Sequence, residues 1–285
     1  DEIVITNSCT EALGLCLRAV TQPGDTVAVE SPAYYLMLQL LETLGLRALE
    51  IPTDPRTGVS VEALDLATRD GRVAACLLVP NASNPLGSVM PDEKKRLLAT
   101  LTATRGVAVI EDDIYGDLHF GNQRPWPIKA FDTAGNVLLC SSFSKSLSPS
   151  LRIGFVAAGR YRPALALQKT ITSGGTNPLT QHVLAEYLES GAYERHLRSL
   201  RRSYESQVEA MRQALTRHFP AETRITQPQG GYVLWVELPE DVDTTALHGL
   251  AVAQGLAFVP GELFSASGMY RNCLRLNCGN PHTPE

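Results

Sequence analysis

The chain lacks an excess of positive charge. Its 285 residues hold 25 Lys and Arg against 30 Asp and Glu, a formal net charge of -5. A protein face that grips nucleic acid is basic, so direct DNA binding by this segment is not expected. Long apolar runs are missing too. None approaches the ~20 residues that span a bilayer. The opening DEIVITNS has neither the basic start nor the apolar stretch of a signal peptide. Cysteines are few and scattered: Cys9, Cys16, Cys76, Cys140, Cys273 and Cys278 form no Cys-x-x-Cys pair. They read as small core residues in a reducing cytoplasm. No internal repeat or low-complexity segment is visible.

What is there is an ordinary globular composition, 44% hydrophobic and 19% charged. The length suits one large domain or two unequal lobes with a sizeable core. The chain opens on Asp rather than Met, and its closing NPHTPE looks like the approach to a helix. Both ends suggest a piece of a longer, or partly ordered, chain.

Short β-branched runs alternate with amphipathic stretches. Strands are expected at Ile3–Thr6, Thr26–Glu30, Arg47–Ile51, Ala74–Val79, Val107–Asp112, Val137–Ser141 and Gly154–Ala158. Most are continuous apolar runs, as strands covered on both faces require. Helices fit between them at Thr10–Val20, Tyr34–Leu44 and Pro91–Arg105, the last opening on Pro-Asp-Glu and stopping at Gly106. The later pattern differs. A long helical region is expected over Pro178–His218, broken near Gly191. Strands at Tyr232–Glu237, Ala257–Val259 and Cys273–Asn277 and a helix near Thr244–Gln254 follow. The fold class is α/β, with a mostly parallel, doubly wound seven-stranded sheet flanked by helices. Residues 1–175 form this large domain, and 176–285 the connecting helices and a smaller α+β lobe.

Six places carry chemistry. SSFSKSLSPSLRIGF, residues 141–155, sets Lys145 among hydroxyls just after an apolar strand, with Arg152 seven positions on. Ligands bind at strand ends in open α/β sheets. A lysine with a lowered pKa forms an imine with an aldehyde, and Ser142, Ser144 and Arg152 are donors suited to phosphate. A solvated Ser-rich loop is the plain alternative. In VIEDDIYGDL, residues 109–118, three acids end a strand that should be buried, and Asp112 stands three before Tyr115. A carboxylate facing a pyridine nitrogen keeps it protonated, and a phenol can bond a ring oxygen. An acidic loop or a divalent-metal site is the other reading. No nearby His or further acidic cluster supports the metal, so none is expected.

VPNASNPLG, residues 79–87, marks a tight turn after a strand, and its Asn84 is a donor suited to the same ring oxygen. A structural turn explains it equally. ITNSCTEAL, residues 5–13, is strand, small polar turn and helix, so the N–H groups at Ser8 and Cys9 can face an anion. It lacks the glycine that lets a phosphate approach closely, and an ordinary capped helix start fits as well. Tyr34 follows Ser-Pro at a strand-to-helix junction, placed to stack on a flat group or to pack in the core. Arg275, in the strand-like CLRLNCG, wants a carboxylate, from a ligand or from a structural ion pair.

In their order and spacing these motifs resemble those of the aminotransferase class I and II family of fold-type I enzymes, along essentially the whole chain. The resemblance implies pyridoxal 5′-phosphate (PLP) as a Schiff base on Lys145. It implies Asp112 at the pyridine nitrogen, Asn84 and Tyr115 at the 3′ oxygen, and Tyr34 stacked on the ring. Ser8, Cys9, Ser142 and Arg152 would take the phosphate. Arg275 and Asn84 would hold the substrate, an amino acid or 2-oxo acid, and the freed Lys145 would move its Cα proton.

EDDIYGDL, SKSLSPSLRIG and HLRSLRRSY are closer still to the C-terminal aminotransferase-like domain of MocR-type regulators of the GntR family, in which a winged helix-turn-helix comes first. Ser8 and Ser150 stand where Gly is usual, and Thr10 replaces a common Gln, which touches the phosphate turn. The resemblance implies a cytoplasmic homodimer. It acts either as the effector-sensing part of a transcription regulator, reaching DNA only through a preceding domain, or as a free-standing transaminase. A β-lyase or decarboxylase is a third reading, since one constellation serves several reactions at Cα.

Overall fold

The structure, a computed structural model, describes residues 2–280. The expected approach to a helix falls largely on residues 281–285 and lies outside the described residues. The larger sheet is built from β1 (Ile3–Thr6), β2 (Thr26–Ser31), β3 (Arg47–Asp54), β4 (Gly58–Val59), β5 (Val73–Leu78), β6 (Ala108–Asp112), β7 (Val137–Ser142) and β8 (Gly154–Ala157). Its order is β1-β8-β7-β6-β5-β2-β3-β4. The run β7-β6-β5-β2-β3 is parallel, and β8 lies antiparallel between β7 and β1.

The sheet therefore has eight strands where seven were expected. The extra strand, β4, pairs only through Thr53↔Val59 and Asp54↔Gly58. Its cause is local. Asp54 Oδ1 accepts from the N–H groups of Arg56 and Thr57, at 2.8 Å each, and Gly58 supplies the positive φ of 74° that turns the chain back. Two residues carry too little periodicity to be read as a strand.

Helices α1 (Cys9–Val20), α2 (Tyr35–Thr43), α3 (Val61–Thr68), α4 (Asp92–Arg105) and α5 (Arg162–Thr172) cover the sheet. The strands feed two cores. In β2, Val27 and Val29 join the cluster under α1, α2 and α5, while Ala28 joins the cluster under α3 and α4. In β6, Ala108 and Ile110 face the first cluster and Val109 the second. Two covered faces explain why these strands read as unbroken apolar runs. Neither α3 nor α5 was expected.

The helical region expected over Pro178–His218 is present as α6 (Pro178–Glu189) and α7 (Ala192–His218), broken as expected at Gly191 with its φ of 68°. The smaller sheet has the order β11-β12-β10-β9 from β9 (Arg224–Ile225), β10 (Val233–Glu237), β11 (Val259–Pro260) and β12 (Cys273–Asn277), with α8 (Thr244–Val252) beside it. The strand expected at Ala257–Val259 is displaced, because only Val259 and Pro260 reach β12. Among the described residues no helix is long and apolar enough to cross a membrane.

Candidate functional site

The parallel strands all end on one edge of the large sheet, and the chemistry-bearing residues lie just past those ends. They gather around a cavity of about 230 Å³ lined by Ser8, Cys9, Tyr34, Asn84, Asp112, Tyr115, Ser142, Lys145 and Arg152. Thr10 and Ser144 share this lining. Nine residues scattered over 145 positions of sequence thus meet in one place. A larger groove of about 1150 Å³ runs between the two sheets past Arg56, Arg212 and Glu237. It contains none of the nine, so size does not locate the chemistry here.

Strand alternation sorts the three consecutive acids. Glu111 points away from the cavity and accepts from the N–H groups of Ile128 (2.7 Å) and Lys129 (2.9 Å). Burial pushes its carboxyl up to about 8. Asp113 accepts from Asn81 Nδ2 at 2.8 Å and pairs with Arg124. Asp112 alone faces the cavity. Its Oδ1 accepts from Cys9 Sγ at 3.3 Å and from the Ile114 N–H at 3.1 Å. Burial raises its pKa to about 6, against the pull of those two donors and of Lys145. At neutral pH it is a largely ionised carboxylate, and among the described residues no cation is bonded to it, an expensive arrangement unless a cationic N–H arrives. Among the described residues no group of three or more His, Cys, Asp or Glu is placed to hold an ion.

Lys145 is held below its ordinary pKa by burial and by the charge of Arg275, with Asp112 opposing. A neutral amine is a nucleophile, which an imine-forming lysine needs. Burial raises the Tyr115 and Tyr34 phenols, so both stay protonated as donors.

Ser8 turns out to cap α1. Its Oγ accepts from the Glu11 N–H at 3.1 Å, and its carbonyl from the Ala12 N–H at 3.1 Å. That leaves the first helical amides, those of Cys9 and Thr10, for an anion at the positive end of the helix. The Cys9 side chain serves Asp112 instead. Arg152 stands close by in a left-handed conformation, φ 52°. Gly154, not recognisable beforehand as a site residue, makes the turn possible. A Cβ there would lie 2.6 Å from Ser8 C and 2.9 Å from both Cys9 N and Ser141 O. The Gly of RIGF is the only trace of this in the sequence.

Arg275 reaches the site from β12. Its Nη1 donates to Asn84 Oδ1 at 3.3 Å, and its guanidinium lies over the rings of Phe264 (5.6 Å) and Tyr35 (5.9 Å). Its Nε is buried without a partner, and among the described residues no carboxylate pairs with it. That disfavours the structural ion pair and leaves the fork free for an incoming carboxylate. The donor set thus fits a flat group with an anionic end, a basic ring nitrogen and a carbonyl.

The profile of the family "Aminotransferase class I and II" matches residues 1–285. The uncharacterized HTH-type transcriptional regulator YjiR of Escherichia coli (strain K12) is 45% identical over 99% of this chain, which spans 60% of that protein's length. This bears out the resemblance to helix-turn-helix regulators. The solved multiple substrate aminotransferase of Thermococcus profundus superposes with a TM-score of 0.91 at 31% identity, over 98% of this chain and 71% of that one. LysN, the alpha-aminoadipate aminotransferase of Thermus thermophilus, solved with N-(5′-phosphopyridoxyl)-L-leucine, gives 0.90 at 32% identity over 98% and 72%. The chain belongs to the aminotransferase class I and II family.

Proposed function

We propose that this chain is a PLP-binding, amino-acid-sensing domain of a MocR-type transcription regulator. The observation that carries the reading is the single cavity that unites a depressed lysine, a buried carboxylate and a phosphate-suited helix start. Identity to YjiR along nearly the whole chain supports the regulator over other members of the family.

The residues divide the work. Arg152, Ser142 and the Cys9 and Thr10 amides hold the phosphate. Tyr34 stacks on the ring, and Asn84 and Tyr115 donate to its 3′ oxygen. Asp112 accepts from the ring nitrogen, and Lys145 carries the cofactor covalently. When bound, PLP supplies an electron sink for negative charge at Cα of an amino acid. Arg275 pins the α-carboxylate of that amino acid or of a 2-oxo acid, and Lys145 Nζ moves the proton at Cα.

The domain works in the cytoplasm as a homodimer. Leu36, Ile171, Leu179 and Val183, on α2, α5 and α6, are large apolar side chains left exposed, which suits burial against a second copy. DNA is contacted by a winged helix-turn-helix outside this segment. The domains divide at 175 and 176.

A free-standing transaminase is the second reading, favoured by the 31% identity to the Thermococcus enzyme. Screening amino acids against the PLP-loaded protein separates the two. A sensor changes its absorption spectrum with an amino acid and releases less than one equivalent of 2-oxo acid. Sustained multiple-turnover release of 2-oxo acid refutes the sensing assignment and establishes the enzyme.

A further inference from the structure

Lys145 sits on a loop, and its neighbour Ser146 is 3% exposed. The cause of that burial is α7. Tyr193 Oη lies 2.7 Å from Ser146 Oγ and 3.0 Å from Asp117 Oδ2. A phenol has one proton and a carboxylate only accepts. The phenol therefore donates to Asp117, and the Ser146 hydroxyl donates to the phenol. One turn on, His196 Nε2 lies 2.9 Å from the Ser146 carbonyl, which accepts the ring N–H. Both polar handles of Ser146 are taken by residues three apart on one face of α7. The Tyr193 ring also stands edge-on to Phe143, with centroids 5.7 Å apart.

The same face grips a second site segment. Arg201 Nε donates to the Asp117 carbonyl at 2.7 Å, two residues beyond Tyr115. Arg124 ties the Asp117 carboxylate to Asp113, beside Asp112. Further along α7, Val208 and Leu215 pack into the core of the small sheet that carries Arg275. One helix thus touches the segments bearing Lys145, Tyr115 and Arg275. Neither Tyr193 nor His196 lines the cavity.

We propose that Tyr193 and His196 are positioning residues for Lys145: through Ser146 they set the reach of its amine and tie the lysine loop to α7. This rests on the assignment of Lys145 as the cofactor lysine.

The test uses Tyr193→Phe, which keeps the ring on Phe143, and His196→Leu with His196→Gln, which restores a donor. Two readouts are taken on the whole chain. One is the rate at which PLP attaches to Lys145, followed by absorbance. The other is the acetylation rate of Lys145 in cofactor-free protein. Tyr193→Phe and His196→Leu should each slow attachment about five- to tenfold, the worth of one hydrogen bond, with acetylation of Lys145 also changed. His196→Gln should return both to within about twofold of wild type. Lowered melting temperatures with both Lys145 readouts at wild-type values would mean a merely structural role and overturn the proposal. Should Tyr193→Phe not fold, the two His196 variants decide alone. A wild type that never attaches PLP removes the cofactor assignment, while the acetylation rates still decide the positioning claim.

Discussion

Asp112→Asn should make the cofactor-free protein more stable at neutral pH while weakening PLP binding. The folded-state pKa of Asp112 is raised from 3.8 to about 6 by burial. Below pH 3.8 the carboxyl is protonated in both folded and unfolded chains and contributes no difference. Between 3.8 and about 6 the folded chain binds the extra proton, so stability falls as pH rises. Above about 6 the loss levels off at about 3 kcal/mol. Asparagine keeps an Oδ1 for the Cys9 and Ile114 donors and carries no charge, so it escapes this cost. Urea denaturation of cofactor-free protein at pH 4 and pH 7 reads it directly. The variant should be near wild type at pH 4 and about 1–3 kcal/mol more stable at pH 7. PLP affinity should drop at least about tenfold, because the ring nitrogen loses its ionic partner. A variant no more stable than wild type at pH 7 would refute the reasoning, since the buried carboxylate would then carry no uncompensated charge.

Arg275→Leu should still attach PLP, more slowly at neutral pH because the Lys145 amine loses a neighbouring positive charge, and should weaken amino-acid binding about ten- to a hundredfold, as expected for lost charge-assisted hydrogen bonds; Arg275→Lys should recover little of that binding, because an ammonium lacks the planar fork. A spectral titration with amino acids checks both, and unchanged affinity in Arg275→Leu would remove the carboxylate role. Gly154→Ala drives a methyl into three backbone atoms of the Ser8–Cys9 turn and β7. It should cost about 1–3 kcal/mol of stability, and PLP affinity should fall with it. Wild-type melting and affinity together would show that the turn tolerates displacement.

Much of the fold was legible because the strands are covered on both faces. TVAVES and VAACLL leave no ambiguity about burial, and Gly106 and Gly191 mark helix ends by their positive φ. Strand direction was not legible. Nothing in GFVA says that β8 runs against its neighbours, since pairing sense depends on the connections around it. Helix α3, eight residues long, was too short for its period to emerge. The site shows the same division. Lys145, Asp112 and Arg152 stand out by their local company. The partner relations do not, because they join distant positions: Cys9 to Asp112, Asn84 to Arg275, Ser146 to Tyr193. Gly154 was invisible for the same reason, its role being a clearance to a turn at the other end of the chain segment.

Everything proposed for this site depends on Lys145 carrying PLP. The most direct measurement is borohydride reduction of the PLP-treated chain, followed by proteolysis and mass mapping, alongside Lys145→Ala. One reduced pyridoxyl group per chain is expected, on the peptide containing Lys145, and none in the variant. Label on another lysine, or equal labelling of wild type and Lys145→Ala, would contradict it.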